Sequence, residues 1–195
     1  MNLLFWGLAF AHREPVDYVD SLVKRKTEEI HQVAARESLD RAVEEGLVFS
    51  KRVVSHPKMY YEIALLYNKE GRLEDALSYY SQALERDPTM MAALYDRAEI
   101  YLVKEDYDRA YNDLIQAKDI EHWVIHLRLA EVAAHRGDLD ALEASLLKAL
   151  EFGLDLRNLS SLGWKKWAQD SRLQSRLQRI ILLYGGEDTW IQLIH

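Results

Sequence analysis

His122 and His126 stand four residues apart, so on a helix they project from one face at the spacing of a paired histidine metal site. Two ligands leave a tetrahedral ion incomplete, and neither Glu131 nor His135 is held at a third ligand position by local spacing. The expectation is a solvated or hydrogen-bonded pair, with no metal and no cofactor. His31 and His56 stand alone. The chain has no cysteine, which excludes disulfides, thiolate metal sites and a cysteine nucleophile. A glycine-rich phosphate loop, a GxSxG elbow and an HExxH motif are all missing from the sequence. Carboxylates such as Asp106, Asp108 and Asp113 are expected on outer faces and turns, as solvating charge. No catalytic residues are assigned, and the chain is not expected to be an enzyme.

The positions of the apolar residues set the elements. A composition 49% hydrophobic with three prolines in 195 residues fits a folded, mainly helical chain. Ile63, Ala64 and Tyr67 fall on one face of a helix, and Ala76, Tyr80 and Ala83 do the same on the next. Gly71 lies where the first helix must end, since a left-handed conformation costs glycine little, and Pro88 stops the second. The result is an antiparallel helix pair. Ala64 and Ala76 let the two helices approach closely, and such a pair needs neighbours to bury its remaining apolar face.

The pattern recurs. Leu94, Ala98 and Tyr101 followed by Ala110, Leu114 and Ala117 predict a second pair, with Ala98 34 residues after Ala64 and Glu105 where the turn glycine stood. Leu129, Ala130 and Ala133, Gly137, then Leu142, Leu146 and Ala149 predict a third, which begins two residues early on that period. Ahead of these, helices from Pro15 and from Ser38 to about Val54 form a repeat-like pair, although Gly46 occupies the place of Tyr80. After Gly153 come Leu156, Leu159, Leu162, Trp164 and Trp167, then a last helix capped by Asp170 that carries Leu173, Leu177, Ile180, Ile181 and Tyr184. The tail beyond Gly185 and Gly186 holds Trp190, Ile191, Leu193 and Ile194.

Tyr60, Ile63, Ala64, Tyr67, Ala76, Tyr80, Ala83 and Pro88 together resemble a tetratricopeptide repeat, and the likeness extends over residues 57–154. The resemblance implies an all-α, right-handed α-solenoid of antiparallel helix pairs with capping helices. Its parts are an N-terminal apolar segment and degenerate pair at 1–56, repeats at 57–90, 91–122 and 123–154, and a capping region with an apolar tail at 155–195. It implies a protein-protein interaction module (adaptor, scaffold or escort) that takes a peptide or an amphipathic helix in the concave groove lined by the first helix of each pair. Carried over by position, partner-binding residues are Tyr61, Leu65, Asn68, Lys69, Tyr95, Glu99, Leu102, Leu127 and Glu131. The carboxylate-gripping pattern known in the family fails at Tyr61, Leu65, Asp96 and Val124 and matches only at Arg128.

Charge bears on the partner. The net charge is −7, and residues 91–122 carry eight acidic against four basic side chains, so a nucleic-acid partner is not expected. Glu99 and Glu131 beside apolar positions suggest an apolar segment with some basic character. The competing expectation is a self-assembling structural protein, a homo-oligomer whose C-terminal tail fills the groove. The start, MNLLFWGLAFA, is too short to span a membrane and has no Lys or Arg before its apolar run. It is expected to pack on the helices that follow, in a cytoplasmic protein; the alternative is export to the periplasm or cell surface.

Overall fold

The computed structural model describes residues 15–52, 56–117, 122–159 and 162–194. The described residues contain no strand, and their helices follow one another as antiparallel pairs. The helices are α1 (Pro15–Arg36), α2 (Leu39–Arg52), α3 (Pro57–Lys69), α4 (Leu73–Arg86), α5 (Met91–Val103) and α6 (Tyr107–Ala117), then α7 (Trp123–Arg136), α8 (Leu139–Glu151), α9 (Lys165–Ala168), α10 (Gln174–Tyr184) and α11 (Gly186–Ile194). A 3-10 turn, Leu156–Asn158, lies between α8 and α9. The apolar start Met1–Ala11 and Val54 lie outside the described residues. The chain divides into two compact units, Met1–Ala93 and Leu94–His195, a division that falls inside α5 and not at a repeat boundary.

One turn chemistry closes the helix pairs. At the end of α3, Gly71 takes φ +72°, its N–H donates to the Asn68 carbonyl at 2.9 Å, and the Arg72 N–H donates to the Tyr67 carbonyl at 2.9 Å. Gly137 repeats this after α7, with Asp138 N–H on the Ala133 carbonyl at 2.9 Å, and Gly153 after α8, with Leu154 N–H on the Ala149 carbonyl at 2.9 Å. These bonds satisfy carbonyls that the helix ends leave open. Glu105 adopts the same conformation at φ 58°, and the Asp106 N–H reaches the Tyr101 carbonyl at 2.8 Å. The second pair therefore keeps the turn without the residue best suited to it.

In the first unit, α3 packs along α4, α1 along α2, and α2 and α1 each against α3. Val23, Ile30, Ala42, Val43, Met59, Ile63, Ala64, Ala76, Tyr80 and Ala83 form the buried interior. Gly46 explains itself here. A Cβ at that position would lie 3.2 Å from Ile63 Cδ1 and 3.4 Å from Met59 Sδ, so α2 approaches α3 too closely for the tyrosine that the repeat pattern calls for.

In the second unit, α7 packs on α6 and α8, and α10 packs on α8, α9 and α11. Leu142, Leu146, Leu159, Trp164, Trp167, Leu173, Leu177, Ile180 and Ile181 form one core with Trp190 and Leu193. The tail is thus a helix whose Trp190 and Leu193 complete the core of their own unit, so these two side chains are not free to fill the groove of another copy. Two further expectations are corrected. Asp170 does not cap α10: its carboxylate accepts the Arg172 N–H at 2.9 Å inside a turn, and the helix starts one turn later at Gln174. Tyr184 is exposed although it shares the helical stripe of Leu177 and Ile180, because it is the last residue of α10, where the buried stripe ends.

Candidate functional site

The expected partner-binding residues fall on α3 in the first unit and on α5 and α7 in the second. On α3, Tyr61, Leu65 and Asn68 are half-buried and Lys69 is exposed. The Tyr61 ring lies 5.9 Å from the Tyr80 ring at 48°, a tilted aromatic contact that leaves part of its surface open. The neighbouring Glu62 turns the other way, its carboxylate 3.0 Å from His31 Nε2 on α1. A second histidine joins the same helices, His56 Nε2 to Asp20 Oδ1 at 3.2 Å, and its Nδ1 accepts the Lys58 N–H at 3.3 Å to cap α3.

On α5, Tyr95, Glu99 and Leu102 are half-buried, and Val103 beside them is 73% exposed. Leu127 departs from expectation. It is 2% exposed, enclosed in a core that also draws Leu142 from α8 and Trp164 and Trp167 from the chain after it. It is not available to a partner.

Glu99 and Glu131 are not free acids. Arg128 Nε and Nη2 donate to the two Glu99 oxygens at 2.7 and 3.0 Å, and Nη1 donates to Glu131 Oε2 at 3.0 Å. Lys166 Nζ lies 3.7 Å from the other Glu131 oxygen. Burial works against the Arg128 charge, but the two carboxylates more than offset it and hold the guanidinium's pKa above its ordinary value. Burial and then the Glu99 charge push the Tyr95 hydroxyl upward. Two cations balance two anions here. The i, i+3 spacing of Arg128 and Glu131 was a legible signal for one of these pairs; the bond to Glu99, across 29 residues, was not.

The histidines separate. His122 Nδ1 accepts the Val124 N–H at 3.3 Å and caps α7, while His126 is buried with its ring stacked 5.2 Å from Phe152. His135 lies 3.9 Å from Tyr107, stacked, and meets the Trp167 ring edge-on at 4.5 Å. Burial, then the Lys148 charge, lowers the pKa of His126; burial, then the Lys166 charge, lowers that of His135. No cluster of three or more His, Asp or Glu suited to a metal occurs among the described residues. Asp113, expected on an outer face, is buried and held by Arg97. No helix among the described residues is long and apolar enough to cross a membrane.

Residues 57–90 match the family model described as Tetratricopeptide repeat. The chain is 36% identical over 76 residues to the tetratricopeptide repeat and J domain-containing co-chaperone DNJ1 of Fusarium oxysporum f. sp. lycopersici, a match covering 38% of this chain and 15% of that protein. It is 27% identical over 119 residues to DnaJ homolog subfamily C member 3 of Bos taurus, covering 56% of this chain and 22% of the relative. The chain thus spans less than a quarter of either relative's length. A tetratricopeptide repeat protein from Parabacteroides merdae superposes with a TM-score of 0.64 over 88% of this chain and 73% of that one, at 16% identity. The chain carries a tetratricopeptide repeat and has the tetratricopeptide-repeat fold.

Proposed function

We propose that the chain is a protein-protein interaction module that takes an apolar polypeptide segment on the outward faces of its first-of-pair helices. The contacts are Tyr61, Leu65, Asn68 and Lys69 in the first unit and Tyr95, Leu102 and Val103 in the second. Val103, 73% exposed next to half-buried Leu102 and Tyr95, carries the reading, since apolar and aromatic side chains left open together on a helix face mark interfaces. The repeat at 57–90, and the co-chaperone relative that shares this type of repeat, support the same class of role. The internal pairing of Glu99 and Glu131 with Arg128 shifts the expected partner from basic toward neutral and apolar.

The test is capture from host lysate with the wild-type chain beside a Tyr61→Ala, Tyr95→Ala variant of unchanged helicity. A partner retained by the first and lost by the second, with affinity reduced by more than about 1 kcal/mol, supports the reading. Equal capture by both moves the contact away from these faces.

A further inference from the structure

The first unit holds a cleft of about 800 Å³ whose walls come from the N-terminal half of α1 and the start of α3. Tyr18, Leu22, Lys24, Arg25 and Lys58 line it, with Asp20 as its one carboxylate. That carboxylate is engaged by His56 at 3.2 Å. Lys24, Arg25 and Lys58 have no ion-pair partner among the described residues, whereas Lys26 on the same helix is held by Glu29 and Glu45, and Arg72 by Asp75 and Asp40. Arg25 also lines a neighbouring groove with Lys26 and the glutamates Glu29, Glu44 and Glu45, of which Glu29 and Glu45 are held by Lys26. Tyr18 is 64% exposed at the cleft.

Three cations without an ion pair therefore line one concavity, Lys24 and Lys58 facing it alone and Arg25 shared with the acidic groove beside it, in a chain whose net charge is −7. We infer that this cleft is a docking site for an acidic stretch of polypeptide, one that alternates Asp or Glu with apolar side chains. The carboxylates meet Lys24, Arg25 and Lys58, and the apolar side chains lie on Tyr18 and Leu22. Charge complementarity selects this occupant. A nucleic-acid backbone would need a longer basic track than these three side chains give. The inference does not rest on the faces carrying Tyr61 and Tyr95, and its failure leaves that reading intact.

The probe is a fluorescein-labelled, C-terminally amidated peptide of alternating Glu and Leu, titrated with the full chain by fluorescence anisotropy. Binding is expected to weaken steeply with added salt. The Lys24→Glu, Lys58→Glu variant is expected to bind about tenfold more weakly or worse, while Tyr61→Ala, Tyr95→Ala keeps full affinity. Both lysines are exposed, so the charge variant should fold, and circular dichroism checks that it does. Equal binding of a Lys and Leu peptide, or undiminished binding by the charge variant, overturns the proposal. Sedimentation with phosphatidylserine vesicles that the charge variant abolishes, without acidic-peptide binding, overturns it in favour of an anionic membrane surface.

Discussion

The Arg97 guanidinium grips the Asp113 carboxylate side-on, Nε to Oδ2 at 2.8 Å and Nη2 to Oδ1 at 2.7 Å, and ties α5 to α6 within the second unit. The side chains are 18% and 4% exposed, so the bond is shielded from water. Removing one partner of such a pair leaves a charge without compensation. Asp113→Ala is expected to lower unfolding free energy by about 3 kcal/mol, toward the low end for buried pairs because Arg97 keeps some solvent access. Urea denaturation measures it. The Asp113→Ala, Arg97→Met double variant should lose less than the single; an equal or larger loss would show that the pair is not what holds these helices.

Glu105 offers a gain. Its φ of 58° is a conformation that side chains resist and glycine adopts freely, and the same turn is built on Gly71 and Gly137 elsewhere in the chain. No ion pair of Glu105 is found among the described residues. Glu105→Gly is expected to raise stability by about 1 kcal/mol, net of the added freedom of the unfolded chain. A thermal midpoint unchanged or lowered would mean the glutamate contributes a contact that offsets its backbone strain.

The helix pairs were legible because their signals are local. Alanines at a 34-residue period, with glycines between the helices, fix where each helix faces and stops, and Gly71 and Gly137 do stop theirs. Asp113 was misplaced because its partner Arg97 lies 16 residues away on another helix, beyond any i, i+4 rule. Leu127 failed for a different reason. Its outward position was inferred from its own repeat, whereas the core that encloses it includes Trp164 and Trp167, residues outside the period. Gly46 looked like a defect in sequence and became a close approach only once Met59 and Ile63 were placed opposite.

Two histidines give the second unit a pH dependence. Burial holds both His126 and His135 below the ordinary histidine value of 6.5, with Lys148 adding to the first effect and Lys166 to the second. Glu151 opposes the effect at His126, as do Glu131 and Glu105 at His135. A depressed native pKa means the unfolded chain takes up protons first as pH falls. Stability from these groups is therefore complete above 6.5 and declines as pH drops below it toward their native values. Denaturant midpoints measured from about pH 7.5 down to about pH 5.5 should fall, and His126→Phe, which keeps a ring against Phe152, should flatten the decline. A profile no different from wild type would remove His126 as a contributor.

The tail decides between a core element and a detachable arm. Trp190 and Leu193 are buried against α10, α9 and the 3-10 turn, and the Thr189 hydroxyl donates to the Gly185 carbonyl at 2.5 Å, which fixes α11 at its start. Loss of a buried tryptophan removes its transfer free energy and leaves a cavity in the core that it shares with Leu156, Leu177 and Ile181. Trp190→Ala is expected to cost about 3 to 5 kcal/mol, and deletion of residues 187–195 to cost at least as much, both read from denaturant titration. An arm that assembled copies would behave otherwise: its deletion would leave the midpoint unchanged and lower the mass seen by light scattering. A stable chain of reduced mass after the deletion would restore the self-assembling reading that the burial of Trp190 argues against.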